Sequence, residues 1–269
     1  MSHLLSAIVV AVLCALPAAA CTGVVIAGEE AVLVGGNEDW NRSDSFVWST
    51  EATDDAYGVL YFGYEIRGEW GQQPDFWYEF HGINDHGLYF DSFGAPCVMP
   101  TTTLANPWRG EHLMVEAMET CATVAEAVAF FESSNLAVIL CQQFLFVDKH
   151  GNAAVVEGDE TVWMEGNTFA LTNFYLSDPS LGGWPCWRYS RATGMLGTDA
   201  TPTADRVARI LDVTSQPITR YSLVCDLVAG KVRVYYAHDF DRYAVIDVTD
   251  AVAEALPRTP LDSLEMGTN

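Results

Sequence analysis

The stretch AAACTG, residues 18–23, joins an apolar leader to the rest of the chain and contains Cys21. Small residues at the end of an apolar leader are typical of the cleavage region of a secretory signal peptide. Cleavage after Ala20 would make Cys21 the first residue of the mature protein. Its thiol and a free α-amine would then belong to one residue, which pairs a nucleophile with a base. The stretch therefore predicts a catalytic N-terminal cysteine.

The leader, residues 1–20, favours export. Its uninterrupted apolar run, from Ala7 to Leu16, is shorter than the roughly 20 residues that span a bilayer. Two alternatives stay open: an uncleaved buried segment, and a lipoprotein signal in which Cys21 is acylated. A large aliphatic residue usually stands three positions before a lipidated cysteine, whereas this chain has Ala18 there. We predict a signal peptide over residues 1–20 and a periplasmic or extracellular mature protein.

The chain is strongly acidic, with 36 acidic residues, 13 basic residues and a formal net charge of −23. Such a surface repels phosphate backbones and anionic membranes, so nucleic acid is excluded as an expected partner. No membrane span is predicted. The mature chain, residues 21–269, has a length suited to one large domain, and association into a homo-oligomer is left open.

Cysteine usage is compatible with export but does not define a disulfide framework. After Cys21 the chain has five more cysteines, an odd number, so at least one stays unpaired or pairs between chains. The sequence does not assign the pairing. These five cysteines are Cys97, Cys121, Cys141, Cys186 and Cys225.

Apolar runs separated by turn residues predict antiparallel strands. A hairpin is predicted at the first mature residue, with strands at 22–27 and 31–34 across Gly28-Glu29-Glu30. Further strands are predicted at 45–49, 59–64 and 88–90, a four-strand meander at 144–147, 153–157, 161–164 and 168–173, and a last pair at 222–227 and 232–236.

Helices are predicted to cover these sheets. The predicted helices are 111–119, a helix that runs from a capping box at Thr123 to 131, 187–196, and 204–211 after an N-cap at Thr201-Pro202. The strand at 153–157 is apolar on both faces, which indicates cover on both sides. Sheets packed between helix layers are therefore expected.

Polar chemistry appears at NEDW, residues 37–40, where the first hairpin ends. The hairpin returns Asp39 toward Cys21. A carboxylate near the α-amine would orient it and favour its ammonium form once it has taken the thiol proton. The reference pKa is about 7.7–8.0 for an α-amine and about 8.5 for a thiol, so proton exchange near neutral pH costs little.

These residues resemble a known family. The opening resembles that of the choloylglycine hydrolase and penicillin V acylase family, whose members are N-terminal nucleophile hydrolases. The resemblance implies a four-layer αββα sandwich with no metal and no organic cofactor. It rests on CTG at 21–23, GNED at 36–39, GINDHGL at 82–88, LTN at 171–173, PCWRY at 185–189 and ADRVAR at 204–209.

The resemblance also implies roles for single residues. The implied catalytic residues are Cys21 as nucleophile, Asp39 as the contact of the amine, Asn173 as an oxyanion donor and Arg206 as the downstream active-site arginine. Asn37, Trp40 and Arg188 are the expected substrate-binding residues. Whether the aromatic residues Trp70, Phe76, Trp77, Tyr78 and Phe80 line an acyl pocket or pack under a loop is left open, and His81, His86 and His112 are predicted to be structural.

Two departures from the family pattern bear on the substrate. Bile-salt hydrolases have an arginine where this chain has Gly36, and their second oxyanion asparagine falls near Gly94. The departures favour the acyltransferase-like branch that acts on linear amides, and Arg188 is a candidate to replace the missing charge. The predicted function is therefore an exported hydrolase that cleaves a linear, non-peptide amide of a small molecule through a thioester. Alternatives are an acyltransferase of the same family and a non-catalytic lipoprotein or binding module with Cys21 lipidated.

Overall fold

The computed structural model describes residues 21–40, 44–66, 76–110, 112–197 and 201–268. The predicted signal peptide at 1–20 lies outside the described residues, and so do Trp70 and the side chains of Phe76 and Trp77. Among the described residues, no helix has the length and apolarity needed to cross a bilayer.

Fifteen strands are described, and they form two antiparallel sheets. The first sheet has the order β10-β1-β2-β11-β12-β13-β15, and the second has the order β14-β3-β4-β5-β6-β7-β8-β9. In chain order the strands are β1 Thr22–Ala27, β2 Val32–Asp39, β3 Ser45–Thr50, β4 Val59–Ile66, β5 Phe76–Asn84, β6 Leu88–Gly94, β7 Gln142–Asp148, β8 Ala153–Glu157, β9 Glu160–Trp163, β10 Thr168–Leu171, β11 Thr219–Asp226, β12 Lys231–Tyr236, β13 Arg242–Asp247, β14 Thr259–Pro260 and β15 Gly267–Thr268.

Five α-helices are described: α1 Leu113–Thr120, α2 Val124–Glu132, α3 Trp187–Leu196, α4 Ala204–Thr214 and α5 Val248–Ala253. The capping box at the start of α2 is confirmed, because the Thr123 hydroxyl accepts from the Glu126 N–H and the Glu126 carboxylate accepts from the Thr123 N–H. The predicted N-cap of α4 is wrong. Thr203 has an extended backbone and its hydroxyl accepts from the Arg206 N–H, so Thr201 and Pro202 precede the helix.

The predicted four-strand meander is corrected by the structure. β7, β8 and β9 pair in sequence in the second sheet, but β10 crosses to the first sheet and pairs with β1. The alternation of apolar and polar residues along a strand specifies which of its faces are buried. It does not specify which other strand it pairs with. Crossing places Ala170 of β10 against the helices that cover the first sheet and Leu171 in the layer between the sheets.

Three apolar layers hold the four-layer structure together. The layer between the two sheets contains side chains such as Val34 and Leu145, which come from opposite sheets. The outer face of the first sheet packs against α3 and α4, and the outer face of the second packs against α1 and α2. The predicted αββα architecture is therefore confirmed.

The register of the first hairpin decides which side chains share a face. Thr22 pairs with Asn37 across β1 and β2, so Cys21 lies opposite Glu38 in the next pair. Antiparallel partners point to the same side of a sheet. Cys21 faces the layer between the sheets, whereas Asn37 faces α4.

One disulfide, between Cys97 and Cys141, is described, with a sequence separation of 44 residues. Its closure ties the segment after β6 to the start of β7. Among the described cysteines, Cys21, Cys121, Cys186 and Cys225 are free and buried.

Replacing both bonded cysteines, Cys97→Ser with Cys141→Ser, should lower the free energy of unfolding by about 2–4 kcal/mol, because the unfolded chain regains the entropy of an open loop. Denaturant unfolding of the oxidised protein measures the change. Reducing agent should lower the stability of the unsubstituted protein and leave the double variant unchanged. Equal stability of the two oxidised proteins would contradict a structural role for the bond.

Candidate active site

Cys21 is fully buried, and its thiol points at a carboxylate. The Sγ atom donates to Glu38 Oε2 at a distance of 3.6 Å. Burial raises the pKa of the Cys21 thiol well above its usual value, and the nearby carboxylates of Glu38, Asp39 and Asp91 raise it further. A backbone hydrogen bond from Asp39 acts in the opposite direction. In the full-length chain the sulfur is therefore held as a neutral thiol near pH 7.

Asp39, the predicted contact of the α-amine, lies next to Cys21 at the end of β2. Its Oδ1 accepts from the Thr219 hydroxyl and its Oδ2 accepts from the Gln216 side-chain amide. Burial raises the pKa of Asp39 to about 6, although these hydrogen bonds and the charge of Arg188 oppose the rise. The two donors hold this carboxylate in one orientation beside the backbone of the first hairpin.

Arg188 joins Cys21 to Asn173. Its buried guanidinium donates through Nη1 to the Cys21 carbonyl and to Thr22 Oγ1, the latter at 3.0 Å, and through Nη2 to Asn173 Oδ1, also at 3.0 Å. The Asn173 amide donates to the carbonyl of Gly94 at 2.9 Å. Arg188 therefore belongs to the candidate site and fixes the backbone of Cys21, while its predicted contact with substrate stays a prediction.

Asn37 has a different place from the one expected. Its Nδ2 donates to Leu211 O at 2.9 Å and to Thr214 Oγ1 at 3.3 Å, and its Oδ1 accepts from Ser222 Oγ at 2.6 Å. The side chain is fully buried between β2, β11 and α4. These hydrogen bonds assign Asn37 to the attachment of β2 to α4, and the prediction that it binds substrate is corrected.

Arg206 also lies elsewhere than expected. Its Nη2 donates to the carbonyls of Met195 and Leu196 at 2.9 and 3.0 Å. These are the last residues of α3, where carbonyls have no partner within the helix. The described bonds of Arg206 therefore join α4 to α3 and do not reach Cys21, which corrects the predicted catalytic role.

Trp40 follows Asp39 and belongs to an aromatic cluster. Its ring centroid lies 6.1 Å from that of Tyr64 and 5.5 Å from that of Phe80, and Tyr78 packs on Phe80 at 4.7 Å. The cluster lies at the layer between the sheets. Burial, together with the charges of Glu38 and Cys21, raises the pKa of Tyr64, so the cluster borders Cys21.

The sequence interpretation missed three polar residues of the layer between the sheets: Glu38, His81 and Asp91, all fully buried. His81 Nε2 lies 3.1 Å from Asp91 Oδ1, and His81 Nδ1 lies 3.0 Å from the Tyr221 hydroxyl. The prediction of His81 as a structural residue did not foresee its carboxylate partner. Hairpin register was the available signal for Glu38, since counting back from the Gly28 turn places it opposite Cys21.

Gly36 stands where the sequence resemblance places an arginine in bile-salt hydrolases, and the structure leaves little room there for a side chain. A Cβ atom at this position would lie 2.7 Å from Asp91 Oδ2 and 2.9 Å from His81 Nε2. The pair from the second sheet therefore occupies the space into which a longer side chain would extend. Within the described ranges, no three His, Cys, Asp or Glu side chains are grouped as a metal site requires.

Comparison with known proteins bears on the class of fold. No protein-family model and no curated protein sequence matches the chain. Among solved structures, the chain is similar to conjugated bile acid hydrolase from Clostridium perfringens, an enzyme for which two sequence variants match.

The first of these variants matches with a TM-score of 0.58 and 15% identity, and the second matches with a TM-score of 0.61 and 13% identity. Each match covers 93% of this chain and 96% of the other. The chain therefore shares the fold of this bile acid hydrolase, a four-layer αββα sandwich. The resemblance to the choloylglycine hydrolase family is confirmed for the fold.

Replacing the buried guanidinium, Arg188→Met, should raise the pKa of Asp39 above about 6, because the positive charge that lowers it is lost. The free energy of unfolding should fall by about 2–3 kcal/mol, since buried acceptors lose a charged donor. Carboxyl NMR titration and denaturant unfolding measure the two effects. Arg191→Met, on the exposed side of the same helix, is the matched control and should change neither. An unchanged pKa of Asp39 in Arg188→Met would show that the charge of Arg188 does not act on this carboxylate.

Proposed function

We propose that the protein is exported, that its mature form begins at Cys21, and that it hydrolyses a linear, non-peptide amide through a thioester on Cys21. The observation that carries the proposal is the position of Cys21. It precedes the first strand of an αββα sandwich, its carbonyl is held by Arg188, and Asp39 is adjacent. Cleavage after Ala20 would add an α-amine at this point.

The reaction follows from the groups around the sulfur. The thiol gives its proton to a base of the site, and the sulfur attacks the amide carbonyl carbon, so that the carbonyl π electrons move to oxygen. We propose that a backbone N–H and the side-chain amide of Asn173 stabilise this oxyanion. One such donor is typically worth about 3 kcal/mol in the transition state.

The tetrahedral intermediate then loses its amine. The carbon–nitrogen bond breaks as the leaving nitrogen takes from that base the proton that the thiol released, and the acyl group stays on sulfur as a thioester. Water attacks the thioester and releases the acid and the Cys21 thiol. An acyltransferase differs only in that a second amine replaces this water, so the same residues would support both reactions.

The aromatic cluster of Trp40, Tyr64, Tyr78 and Phe80 supports an apolar acyl group. Aromatic rings beside the nucleophile supply apolar contact area and little hydrogen bonding. We propose that the acyl chain of the substrate packs on Trp40, whose side chain is only half-buried. The fully buried Tyr64 would support Trp40 from behind.

Cys21→Ser should reduce amide turnover at least a thousandfold, because a serine hydroxyl gives up its proton far less readily than a thiol. Turnover is measured with the mature protein on acyl p-nitroanilides whose acyl chains range from acetyl to dodecanoyl. Cys121→Ser, at another free buried cysteine, is the matched control and should keep its activity. Undiminished turnover of Cys21→Ser would exclude Cys21 as the nucleophile.

Intact-mass analysis of the exported protein tests the N-terminus independently. The mass of residues 21–269 with a free N-terminal cysteine is expected. Iodoacetamide should alkylate Cys21 in this mature form and leave it unmodified in the full-length chain, where it is fully buried. A diacylglyceryl mass on Cys21 would instead support the lipoprotein alternative, since an acylated cysteine has neither a free thiol nor a free amine.

A further inference from the structure

A glutamine of the second sheet holds the backbone on both sides of Asn173. Gln143 lies on β7, and its side chain is fully buried. Its Nε2 atom donates to the carbonyl of Thr172 at 2.5 Å and to the carbonyl of Phe174 at 3.3 Å. One side-chain amide therefore bonds the peptide units before and after the residue that we propose as an oxyanion donor.

These two bonds join the sheets at the point where regular pairing ends. Asn173 follows β10 of the first sheet, whereas Gln143 belongs to the second sheet. The described pairing of β10 with β1 ends at Leu171, so the carbonyls that follow it need donors from elsewhere in the fold. Gln143 supplies a donor to two of these carbonyls, and the turn that carries Asn173 is thereby attached to β7.

The side chain of Asn173 is anchored to the same part of the second sheet. Its Nδ2 donates to the carbonyl of Gly94 at 2.9 Å, and Arg188 donates to its Oδ1 at 3.0 Å. Gly94 pairs with Gln142, the strand neighbour of Gln143, across β6 and β7. One end of a single strand pair therefore fixes both the backbone of Asn173 and its amide.

The oxygen of the Gln143 amide indicates that packing alone does not account for this side chain. The two carbonyls identify the end that faces them as the nitrogen, since only the nitrogen donates. The other end, Gln143 Oε1, is buried and has no hydrogen-bond partner among the described residues. A buried acceptor without a donor is costly, so a role that depends on the nitrogen is indicated.

We propose that Gln143 is the positioning residue of Asn173: by fixing both adjacent peptide units, it holds the Asn173 amide where the oxyanion forms. This inference rests on the proposed amide hydrolysis, with Asn173 as an oxyanion donor. Gln143 acts through Asn173, because its described hydrogen bonds end on backbone carbonyls. It is therefore not a catalytic residue.

The physical basis of the role is preorganisation. Rotation of the peptide units around a residue swings its side chain, and the bonds from Gln143 restrain that rotation on both sides of Asn173. A donor stabilises an oxyanion only if it already points at the place where the charge develops. A displacement of about 1 Å can cost about a hundredfold in rate, even when it arises away from the reacting atoms.

Gln143→Met removes both donors and keeps a long side chain in the buried position. On the acyl p-nitroanilide that the mature protein cleaves best, kcat should fall about tenfold. KM should stay within about twofold, because an oxyanion donor acts in the transition state and not on the bound amide. Steady-state kinetics below the unfolding temperature of the variant measures both constants.

Asn84→Met is the matched control. The buried amide of Asn84 also donates to two carbonyls, those of Met118 at 2.9 Å and Cys121 at 2.8 Å, where β5 meets the end of α1. This variant should lose stability, as Gln143→Met does, but it should keep the kcat of the unsubstituted enzyme. A tenfold lower kcat in Asn84→Met would mean that loss of any such buried bond slows turnover, which overturns the specific role of Gln143.

A double-mutant cycle tests whether Gln143 acts through Asn173. Asn173→Ala should lower kcat about a hundredfold, the usual effect of removing one oxyanion donor. Adding Gln143→Met to Asn173→Ala should lower kcat no further, because no side-chain amide remains to be positioned. A purely structural role would instead lower kcat by the same factor in both backgrounds.

Hydrogen exchange gives a readout that needs no substrate. In Gln143→Met the backbone amides of residues 168–176 should exchange at least tenfold faster, because the turn loses its attachment to β7. Asn84→Met should leave exchange in this segment unchanged. Gln143→Glu keeps the shape of the side chain without an amide donor, and it repeats the measurement if Gln143→Met does not fold.

Each outcome decides for or against the role of Gln143. A loss of kcat that requires Asn173, together with faster exchange at 168–176, supports it. Equal losses in the two backgrounds, kcat within threefold of the unsubstituted enzyme, or unchanged exchange at 168–176 overturns it while the effect of Asn173→Ala stands. If Asn173→Ala keeps full kcat, or if the unsubstituted enzyme cleaves none of the panel, the proposed reaction fails first and the role of Gln143 fails with it.

Discussion

The site depends on the register of the first hairpin. Because Thr22 pairs with Asn37, Cys21 faces the space between the two sheets together with Glu38. A shift of one residue in this pairing would place Cys21 and Glu38 on opposite faces of the sheet. The same register sends Asn37 outward, where it binds the end of α4. One strand pair thus separates the residues that we propose for catalysis from those that hold the layers together.

The second constraint is the burial of several charged and polar groups around the Cys21 sulfur. Between the sheets, burial and the facing carboxylates raise the pKa of the Cys21 thiol and hold it protonated, and on the other side of β1 the guanidinium of Arg188 fixes the backbone of Cys21. A site with this charge arrangement gains from a new positive charge at the N-terminus of Cys21. Removal of the leader would provide that charge, which gives the proposed processing an electrostatic effect as well as a chemical one.

Much of the fold could be predicted, since period-two alternation and turn residues define antiparallel strands locally. The site was predicted less evenly. Cys21 and Asp39 lie on one hairpin, so their proximity follows from short-range pairing. The hydrogen bond of Arg188 to Cys21 joins distant parts of the chain, and the pair of His81 and Asp91 joins neighbouring strands of the second sheet. No spacing rule in the sequence specifies either contact. For Arg206, a sequence motif suggested a catalytic role, but the motif did not reveal that this side chain caps the end of α3.

The sequence by itself determined a layered, acidic α+β domain whose first hairpin carries a cysteine and an aspartate, because backbone preferences and apolar alternation act over a few residues. Only the tertiary structure decided that β10 crosses to the first sheet, that the space at Gly36 is filled by a histidine–carboxylate pair, and that Glu38 is the side chain in contact with the sulfur. These features arise where two sheets pack face to face, and the strength of a buried charge depends on every element that excludes water from it.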